Sequence, residues 1–329
     1  MIMKNFLTTI ICSFSIIFAS CKTEEVTSIH EFVENDNVIM FQRHSKGKGI
    51  QIVLIADGYE DQTIPTLYNM YGHLFAVEPY PALKDYFTVI GIKEVDSLGI
   101  VAYQDRYNGN KSYISKRVKE AANLTSLLNT AIVVAVSPAL PIQRSCCKMG
   151  SDHNEVTLSL CAYDRVSESY RRHVLTHEVG GHAIGALEDE YEEYAGKIPA
   201  GTIASNERWQ RKGMYLNVIF SPELPSEWQQ LQKAFGNEEV SIYEGGGLYE
   251  TGVYRSSENS IMKTHSNRYN AVSEWLIWQA IIAHKGGLKT NIEEFIAYRK
   301  QRSSRSLTDD LESVAIPDSL HGVLIKSTE

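Results

Sequence analysis

The stretch Ile50-Gln51-Ile52-Val53-Leu54-Ile55 is the clearest fold signal in the chain. Its mostly β-branched, almost uninterrupted apolar character predicts a strand that is buried on both faces. Two further runs show the same pattern, at residues 87–92 and 131–136, and helical spacing at residues 67–75 and 110–129 lies between the three. This strand–helix–strand–helix–strand order predicts a parallel sheet covered on both faces.

The rest of the chain extends this α/β fold. Residues 156–160 alternate apolar and polar side chains, which predicts a half-exposed, antiparallel edge strand on a mostly parallel sheet. A long helix should begin near Ser167. Beyond residue 194 the pattern is mixed, and we expect a loop-rich C-terminal subdomain with a closing helix at residues 272–283.

The first 20 residues resemble a bacterial lipoprotein signal. A positive start at Lys4 precedes a largely apolar run over residues 6–19, and small residues come directly before Cys21. The run is too short to span a bilayer comfortably. The resemblance implies a lipid anchor at Cys21, and an ordinary cleaved signal with an incidental cysteine is the alternative. Lys22-Thr23-Glu24-Glu25 resembles an acidic export tag, so we expect an outer-membrane lipoprotein that is surface-exposed or faces the periplasm.

The composition of the whole chain limits the classes of protein to which it can belong. The chain has 329 residues, of which 43% are hydrophobic and 22% charged, so a sizeable core is available. A net charge of -8 argues against a sequence-independent nucleic-acid binder, which needs a basic face. After the signal we expect a tether over residues 21–45, one catalytic-type domain over residues 46–302 and a tail over residues 303–329.

The cysteines do not form a metal motif. Cys146, Cys147 and Cys161 follow Cys21, and no Cys-x-x-Cys pair is present. In an oxidising compartment one of the adjacent pair could bridge to Cys161, or all three could remain thiols.

The strongest functional motif is His177-Glu178-Val179-Gly180-Gly181-His182. A His-Glu-x-x-His helix binds zinc through two imidazoles and places the glutamate to activate a water molecule at the metal. Here the second histidine comes one residue later. Side chains five residues apart on an α-helix diverge by about 140°, against about 40° for four residues. The two histidines can therefore share an ion only if a π-type turn absorbs one residue, and we predict a bulge within residues 178–182.

Two alternatives to this motif stay open. His173 and His177 lie four residues apart and could chelate an ion alone, although no glutamate directly follows His173 to serve as a base. The histidines could also be ordinary surface or core residues of a helix.

With its surroundings, the motif resembles the IgA-peptidase family of secreted zinc endopeptidases, in its gut-bacterial form with an extra glycine before the second histidine. The resemblance runs from about residue 50 to about residue 285 and includes several further blocks. These are Val53-Leu54-Ile55-Ala56-Asp57-Gly58-Tyr59, Leu187-Glu188-Asp189-Glu190-Tyr191, Glu244-Gly245-Gly246, Gly252-Val253-Tyr254-Arg255 and Asn259-Ser260-Ile261-Met262.

The resemblance implies a zinc site with His177 and His182 as ligands and Glu178 as general base. For the third ligand, metzincin-type spacing points to Glu188, whereas the Asp-Glu-Tyr block points to Asp189. We favour Asp189, with Glu190 and Glu188 as supporting residues or alternative ligands. The helix must then end or bend at Gly185, because on a continued helix Asp189 would lie about 10 Å further along the axis than His182.

Other residues are candidates for secondary roles. Ser260-Ile261-Met262 resembles the methionine turn beneath the zinc of metzincin-like enzymes. His265, Tyr254 and Tyr269 are candidates to stabilise the oxyanion of a tetrahedral intermediate. The predicted edge strand at residues 156–160 could pair with an extended peptide substrate.

The expected function is therefore hydrolysis of peptide bonds in an extracytoplasmic protein by a zinc endopeptidase, with Glu178 activating the water. Two alternatives remain. One is a zinc amidase or deacetylase that acts on a non-peptide or cell-wall substrate, and the other is a non-catalytic surface lipoprotein that binds a partner.

Overall fold

The computed structural model describes residues 36–122, 131–138, 144–149, 156–285 and 290–304. The predicted signal with Cys21, most of the tether and most of the C-terminal tail lie outside the described residues, as does the end of the helix expected over residues 110–129. No helix within the described ranges is long and apolar enough to cross a membrane.

The described chain alternates strands and helices along most of its length. The strands are β1 (Val38–Gln42), β2 (Ile50–Ala56), β3 (Phe87–Ile92), β4 (Val101–Tyr103), β5 (Arg106–Asn108), β6 (Ile132–Val136), β7 (Cys146–Lys148), β8 (Thr157–Cys161), β9 (Glu192–Lys197), β10 (Val218–Ile219), β11 (Tyr243–Gly246) and β12 (Leu248–Arg255). The α-helices are α1 (Thr63–Leu74), α2 (Lys111–Ala121), α3 (Glu168–Leu175), α4 (Ala200–Gln210), α5 (Ser226–Phe235), α6 (Ala271–Gln279) and α7 (Ile292–Ser304). Short 3-10 helices span Glu60–Gln62 and Pro81–Tyr86, and π-helices continue α3 over Thr176–Ile184 and α6 over Ala280–Lys285.

The main sheet has six strands in the order β1-β3-β2-β6-β8-β7. The four central strands are parallel, and β1 and β7 pair antiparallel at the two edges. Every residue of β2, β3 and β6 is buried, as the apolar runs predict. The prediction of an α/β fold with a mostly parallel sheet is confirmed.

The prediction for residues 156–160 is wrong. Strand β8 lies inside the sheet, parallel to β6 on one side and antiparallel to β7 on the other, and four of its five residues are buried. Both of its edges are therefore paired, so it cannot take up an extended substrate. The edge strand at this end of the sheet is β7.

At the other edge, the domain begins earlier than the sequence predicts. Residues Val38–Gln42, which fall in the expected tether, form β1 and pair with β3. The tether can therefore extend no further than residue 37.

The region after residue 194 contains more regular structure than the expected loops. Strands β9 to β12 form a second sheet, in which β12 pairs with the other three, and helices α4 and α5 accompany it. The closing helix predicted at residues 272–283 is present as α6 and its π-helical continuation. One hydrophobic core joins β2, α1 and the motif helix to α6 and α7.

The three described cysteines remain thiols. Cys146, Cys147 and Cys161 form no disulfide among the described residues. Burial raises the pKa of Cys146 to about 11 and that of Cys161 well above the usual range, so neither is a reactive thiolate at neutral pH.

Candidate metal centre

The helix that carries the motif histidines changes type at the motif. It is α-helical to Leu175 and π-helical over Thr176–Ile184. The amide nitrogen of Gly185 donates to the carbonyl oxygen of Gly180, five residues earlier, at 3.0 Å. The bulge predicted within residues 178–182 is therefore confirmed, as a wider π-helical segment.

Two glycines allow close packing against this segment. A Cβ at Gly180 would lie 2.3 Å from the hydroxyl oxygen of Tyr269, and a Cβ at Gly181 would lie 2.2 Å from the sulfur of Met262. Real Cβ atoms do not make such short contacts. Glycine at both positions lets Tyr269 and the Met262 segment contact the helix backbone directly.

The π-helix brings the two motif histidines to one carboxylate. The Nε2 atoms of His177 and His182 lie 3.0 and 3.2 Å from the same oxygen of Asp189, Oδ1. Each Nδ1 atom contacts a backbone carbonyl oxygen. The Nδ1 of His177 lies 3.0 Å from the carbonyl oxygen of Ile261, and that of His182 lies 2.8 Å from the carbonyl oxygen of Leu187. When Nδ1–H donates to a carbonyl, loss of the Nε2 proton that is shared with Asp189 leaves the lone pair that ligates a metal.

Asp189 reaches the histidines because the chain turns directly after the π-helix. The helix ends with Gly185 as its C-cap, as predicted, and Ala186 has a left-handed φ of +50°. The amide nitrogen of Glu190 then donates to the carbonyl oxygen of Met262 at 2.8 Å. This turn and this bond hold Asp189 beside the helix instead of beyond its end.

The site is strongly coupled electrostatically. Burial alone would lower the pKa of His182, but the charge and hydrogen bond of Asp189 raise it to about 10. In return, the two imidazoles hold the pKa of Asp189 well below its usual range, although burial opposes this shift. An anionic carboxylate beside two imidazole nitrogens is a donor set that zinc accepts.

Glu178 lines the same cavity as His177, His182 and Asp189, and one of its carboxylate oxygens has no partner among the described residues. Its side chain is 7% exposed, and within the described residues its Oε2 has no hydrogen-bond partner. Burial raises the pKa of Glu178, while the neighbouring imidazoles of His177 and His182 oppose the shift. A buried carboxylate with a free oxygen and a raised pKa is suited to accept a proton.

The two alternative ligands occupy other environments. Glu190 is fully buried and accepts hydrogen bonds from Asn217, Ser260, Asn270 and Ser273. Among the described residues, the group of His, Cys, Asp and Glu side chains that could hold a metal contains His177, His182 and Asp189, with ligand atoms within 4.8 Å of one another.

Glu188 is not part of this group either. Its Oε1 accepts from the amide nitrogen of Asp189 at 3.1 Å, and burial raises its pKa to about 7, with the charge of Asp189 as a further cause. Glu188 and Glu190 therefore support the loop that presents Asp189.

The alternative pair of His173 and His177 is not favoured by the geometry. The ring of His173 lies 4.5 Å from that of His265, and the metal-compatible group of the described residues does not include it.

Of the three predicted oxyanion stabilisers, one lies at the site. His265 is exposed and lines the cavity beside His177 and Glu178. Tyr269 is buried under the helix, where its hydroxyl donates to the carbonyl oxygen of Thr176, and neither cavity at the site includes it. Tyr254 lies on β12 between β10 and β11, and none of the cavities at the site includes it.

Two cavities meet at the metal-compatible group. One, of about 470 Å³, extends past His173, His265 and Lys263. The other, of about 200 Å³, extends past Cys147, Met149 and Tyr215. The residues common to both are Arg144, Ser145, His177, Glu178, Tyr191 and Glu193.

Tyr191 and Arg144 line both cavities but are not among the functional residues predicted from the sequence. Tyr191 belongs to the acidic block that ends the motif segment, so its position was a usable signal. Arg144 is 47 positions from Tyr191, yet its Nη2 lies 2.9 Å from the phenolic oxygen. No sequence pattern predicts that contact.

A larger cavity, of about 850 Å³, lies at the carboxyl end of β2, around Asp57, Asp61, Glu94 and Asp96. It is acidic, but its carboxylates do not converge as a metal-binding group would. The metal-compatible group and Glu178 line the two smaller cavities, which are therefore the candidate active site.

No protein-family model matches the chain, and no curated protein matches it. The functional argument therefore depends on the geometry of the site.

Proposed function

We propose that this protein is a zinc-dependent endopeptidase of the IgA-peptidase type, in which His177, His182 and Asp189 hold the metal and Glu178 is the general base. The observation that carries this proposal is the convergence of two Nε2 atoms on Asp189 Oδ1 next to a buried glutamate with an unpartnered oxygen. In this proposal the π-helix is a zincin-type active-site helix with one additional residue.

The donor set fits zinc. Two imidazole nitrogens and one carboxylate oxygen are a known ligand combination for catalytic zinc, and such sites keep one position open for water or substrate. Both imidazoles are oriented by backbone carbonyls, so binding a metal requires little rearrangement. When bound, zinc would supply the positive charge that polarises a peptide carbonyl and makes a water molecule more acidic.

The residues of the chain account for the proton transfers. Glu178 accepts a proton from the attacking water, whose oxygen forms a bond to the carbonyl carbon. When the carbon–nitrogen bond breaks, Glu178 returns this proton to the amine nitrogen. The products are a carboxylic acid and an amine, and Glu178 is regenerated.

The shape of the site favours an endopeptidase. Two cavities with different further lining residues share His177 and Glu178, which suits a chain that continues on both sides of the cleaved bond. β7 ends the main sheet next to these cavities, and within the described ranges its outer edge pairs with no strand of that sheet. An extended peptide could add to this edge beyond Arg144, whose own backbone is already paired with Asp105 and Tyr107.

We propose that the activity lies outside the cytoplasm, because residues 1–20 resemble a lipoprotein signal. We propose that Cys21 carries the lipid anchor in the outer membrane, so that the domain meets extracytoplasmic proteins or peptides. Metabolic labelling with a fatty-acid analogue should modify the wild type and not Cys21→Ala. Protease treatment of intact cells should remove the domain if it faces outward and should spare it if it faces the periplasm.

The proposed activity is tested on the full chain, purified in detergent and loaded with one equivalent of zinc. Wild type, Glu178→Gln and Glu207→Gln are incubated with a peptide library from a tryptic digest of bacterial lysate, and products are identified by mass spectrometry. Glu207 is an exposed residue on α4, so its variant controls for a glutamate-to-glutamine change.

We expect cleavage by the wild type and Glu207→Gln, and a rate at least about 100-fold lower for Glu178→Gln with unchanged zinc content. If the zinc-loaded wild type cleaves no peptide, the endopeptidase proposal is refuted. Release of acyl groups from cell-wall fragments by the same sample would then indicate a zinc amidase or deacetylase.

A further inference from the structure

The position of Tyr191 is fixed by the same loop that presents Asp189. Its carbonyl oxygen accepts from the amide nitrogen of Leu248 at 3.1 Å, and the carbonyl oxygen of Asp189 accepts from Gly247 at 2.8 Å. The Tyr191 ring lies 6.4 Å from the ring of His177, centroid to centroid. The side chain is half-buried and lines both cavities, beside Glu178.

Arg144 holds the phenol of Tyr191 through a hydrogen bond. Its Nη2 donates to the hydroxyl oxygen of Tyr191 at 2.9 Å, and its Nη1 donates to Glu193 at 2.8 Å and to Asp105 at 3.2 Å. The backbone of Arg144 is also fixed, because its amide donates to the carbonyl of Asp105 at 2.9 Å and its carbonyl accepts from Tyr107 at 3.1 Å. The guanidinium therefore has a defined position.

This arrangement leaves the phenolic proton available. A tyrosine hydroxyl has one proton to donate and can also accept, whereas an arginine can only donate. Arg144 therefore occupies an acceptor position of the Tyr191 oxygen and cannot take its proton. Within the described part of the chain, that hydroxyl donates to no protein atom. The positive guanidinium also strengthens the phenol as a donor.

We propose that Tyr191 is a catalytic residue, whose phenol donates a hydrogen bond to the oxyanion formed when water adds to the peptide carbonyl, and that Arg144 is the residue that positions it. This inference rests on the proposed peptidase function. Hydroxyl donors aimed at a developing oxyanion stabilise the transition state more than the bound substrate.

Tyr191 suits this role better than the residues that the sequence analysis selected. His265 is exposed. Of the two cavities at the site it lines only the one of about 470 Å³, where its ring contacts those of Tyr170 and His173. Tyr191 lies where the two cavities meet, which is where the cleaved bond must lie if a peptide occupies both.

The test uses the full chain in detergent, loaded with zinc, and the library peptide that the wild type cleaves fastest, resynthesised with a fluorophore and a quencher. Tyr191→Phe removes the hydroxyl and keeps the ring. Tyr194→Phe is the matched control, because Tyr194 is an exposed tyrosine on β9 that neither cavity includes.

We expect Tyr191→Phe to lower kcat by about 100-fold to 1,000-fold, the loss typical of one oxyanion donor, with KM and zinc content within about threefold of the wild type. Tyr194→Phe should match the wild type. A Tyr191→Phe protein with unchanged kcat, or with a changed KM alone, would overturn the catalytic role.

Double mutants separate positioning from general support of the fold. If Arg144 acts through the phenol, Arg144→Ala lowers kcat in the wild type, Arg144→Lys restores part of it, and Arg144→Ala has little further effect in Tyr191→Phe. Equal losses from Arg144→Ala in both backgrounds would overturn the positioning role.

A wild type that cleaves no peptide would overturn the proposed function and this role with it. An active wild type with an equally active Tyr191→Phe variant would overturn this role alone.

Discussion

Asp189 and Glu190 are neighbouring carboxylates for which the structure predicts opposite roles. Asp189 contacts both motif histidines, whereas Glu190 is buried among uncharged donors behind the loop. We predict that Glu190→Gln lowers the free energy of unfolding and that the folded variant still binds one zinc. Asp189→Asn should instead lose zinc, because it removes the anionic ligand.

The size of the Glu190→Gln effect follows from the donors around the carboxylate. Oε1 accepts from Asn217 at 3.0 Å, from Asn270 at 3.1 Å and from Ser273 at 3.2 Å, while Oε2 accepts from Ser260 and from Asn270 at 3.1 Å. A glutamine nitrogen is least unfavourable in the place of Oε2, where the serine hydroxyl can turn to accept. The Nδ2 of Asn270 cannot accept, and its Oδ1 already accepts from the amide nitrogen of Ser273. The remaining bonds lose their charge assistance.

Hydrogen bonds to charged groups contribute about 1.5–3 kcal/mol and neutral ones about 0.5–1.5 kcal/mol, so we expect a loss of about 2–4 kcal/mol for Glu190→Gln. At about 2–4 °C per kcal/mol, the melting temperature should fall by roughly 5–15 °C. Thermal unfolding followed by circular dichroism measures the shift, and elemental analysis below the transition measures zinc per protein. Glu207→Gln should show neither change. A Glu190→Gln protein that melts like this control but has lost its zinc would refute the assignment of both carboxylates.

Three further predictions concern packing, pH and metal. Gly181→Ala should cost about 1–3 kcal/mol of unfolding free energy, since its Cβ would lie 2.2 Å from a buried sulfur. Gly201→Ala, with open space at its Cβ, should be neutral or stabilising, and equal melting temperatures for the two variants would contradict this. Although burial opposes the shift, the hydrogen-bond partners of Glu168 lower its pKa, so the stability that the wild type has over Glu168→Gln should be present above about pH 4.3 and vanish as the pH falls through the folded-state pKa. Urea titrations at pH 7 and pH 3 measure this difference, and an equal difference at both would contradict it. Zinc should raise the melting temperature with concentration, as for any ligand of the native state alone, and a chelator should reverse the rise, whereas Asp189→Asn should show no rise.

The sequence predicted the central sheet well because its signal is local. A parallel strand covered on both faces needs a continuous apolar run, and β2, β3 and β6 each have one. The failure at β8 has a specific cause. Ser159 is a polar residue in the alternating pattern, but it is fully buried, and its hydroxyl lies 3.4 Å from the carbonyl oxygen of Glu178. A small polar side chain that faces the motif helix resembles a solvent-facing residue in sequence.

The site was predictable where spacing constrains geometry. The interval between His177 and His182 required a π-helical turn, and that turn is present. The candidate third ligand could not be chosen from spacing, because the position of Asp189 depends on the left-handed backbone of Ala186, which is not a glycine and gives no sequence signal. The contact between Arg144 and Tyr191 joins distant segments, so it too depends on the tertiary structure.

The glycine pair explains why the extra residue, the methionine segment and the candidate third ligand Asp189 occur together. The wider helical turn brings the side chains of His177 and His182 to the same side of the helix. Gly181 has a separate effect, because its missing side chain lets Met262 lie against the helix backbone. That approach brings the carbonyl oxygen of Ile261 to His177 Nδ1 at 3.0 Å and the carbonyl oxygen of Met262 to the amide of residue 190 at 2.8 Å. The first contact orients one candidate ligand, and the second holds the loop that presents Asp189. A side chain at position 181 would therefore disturb both contacts, even though it touches none of the three candidate ligands.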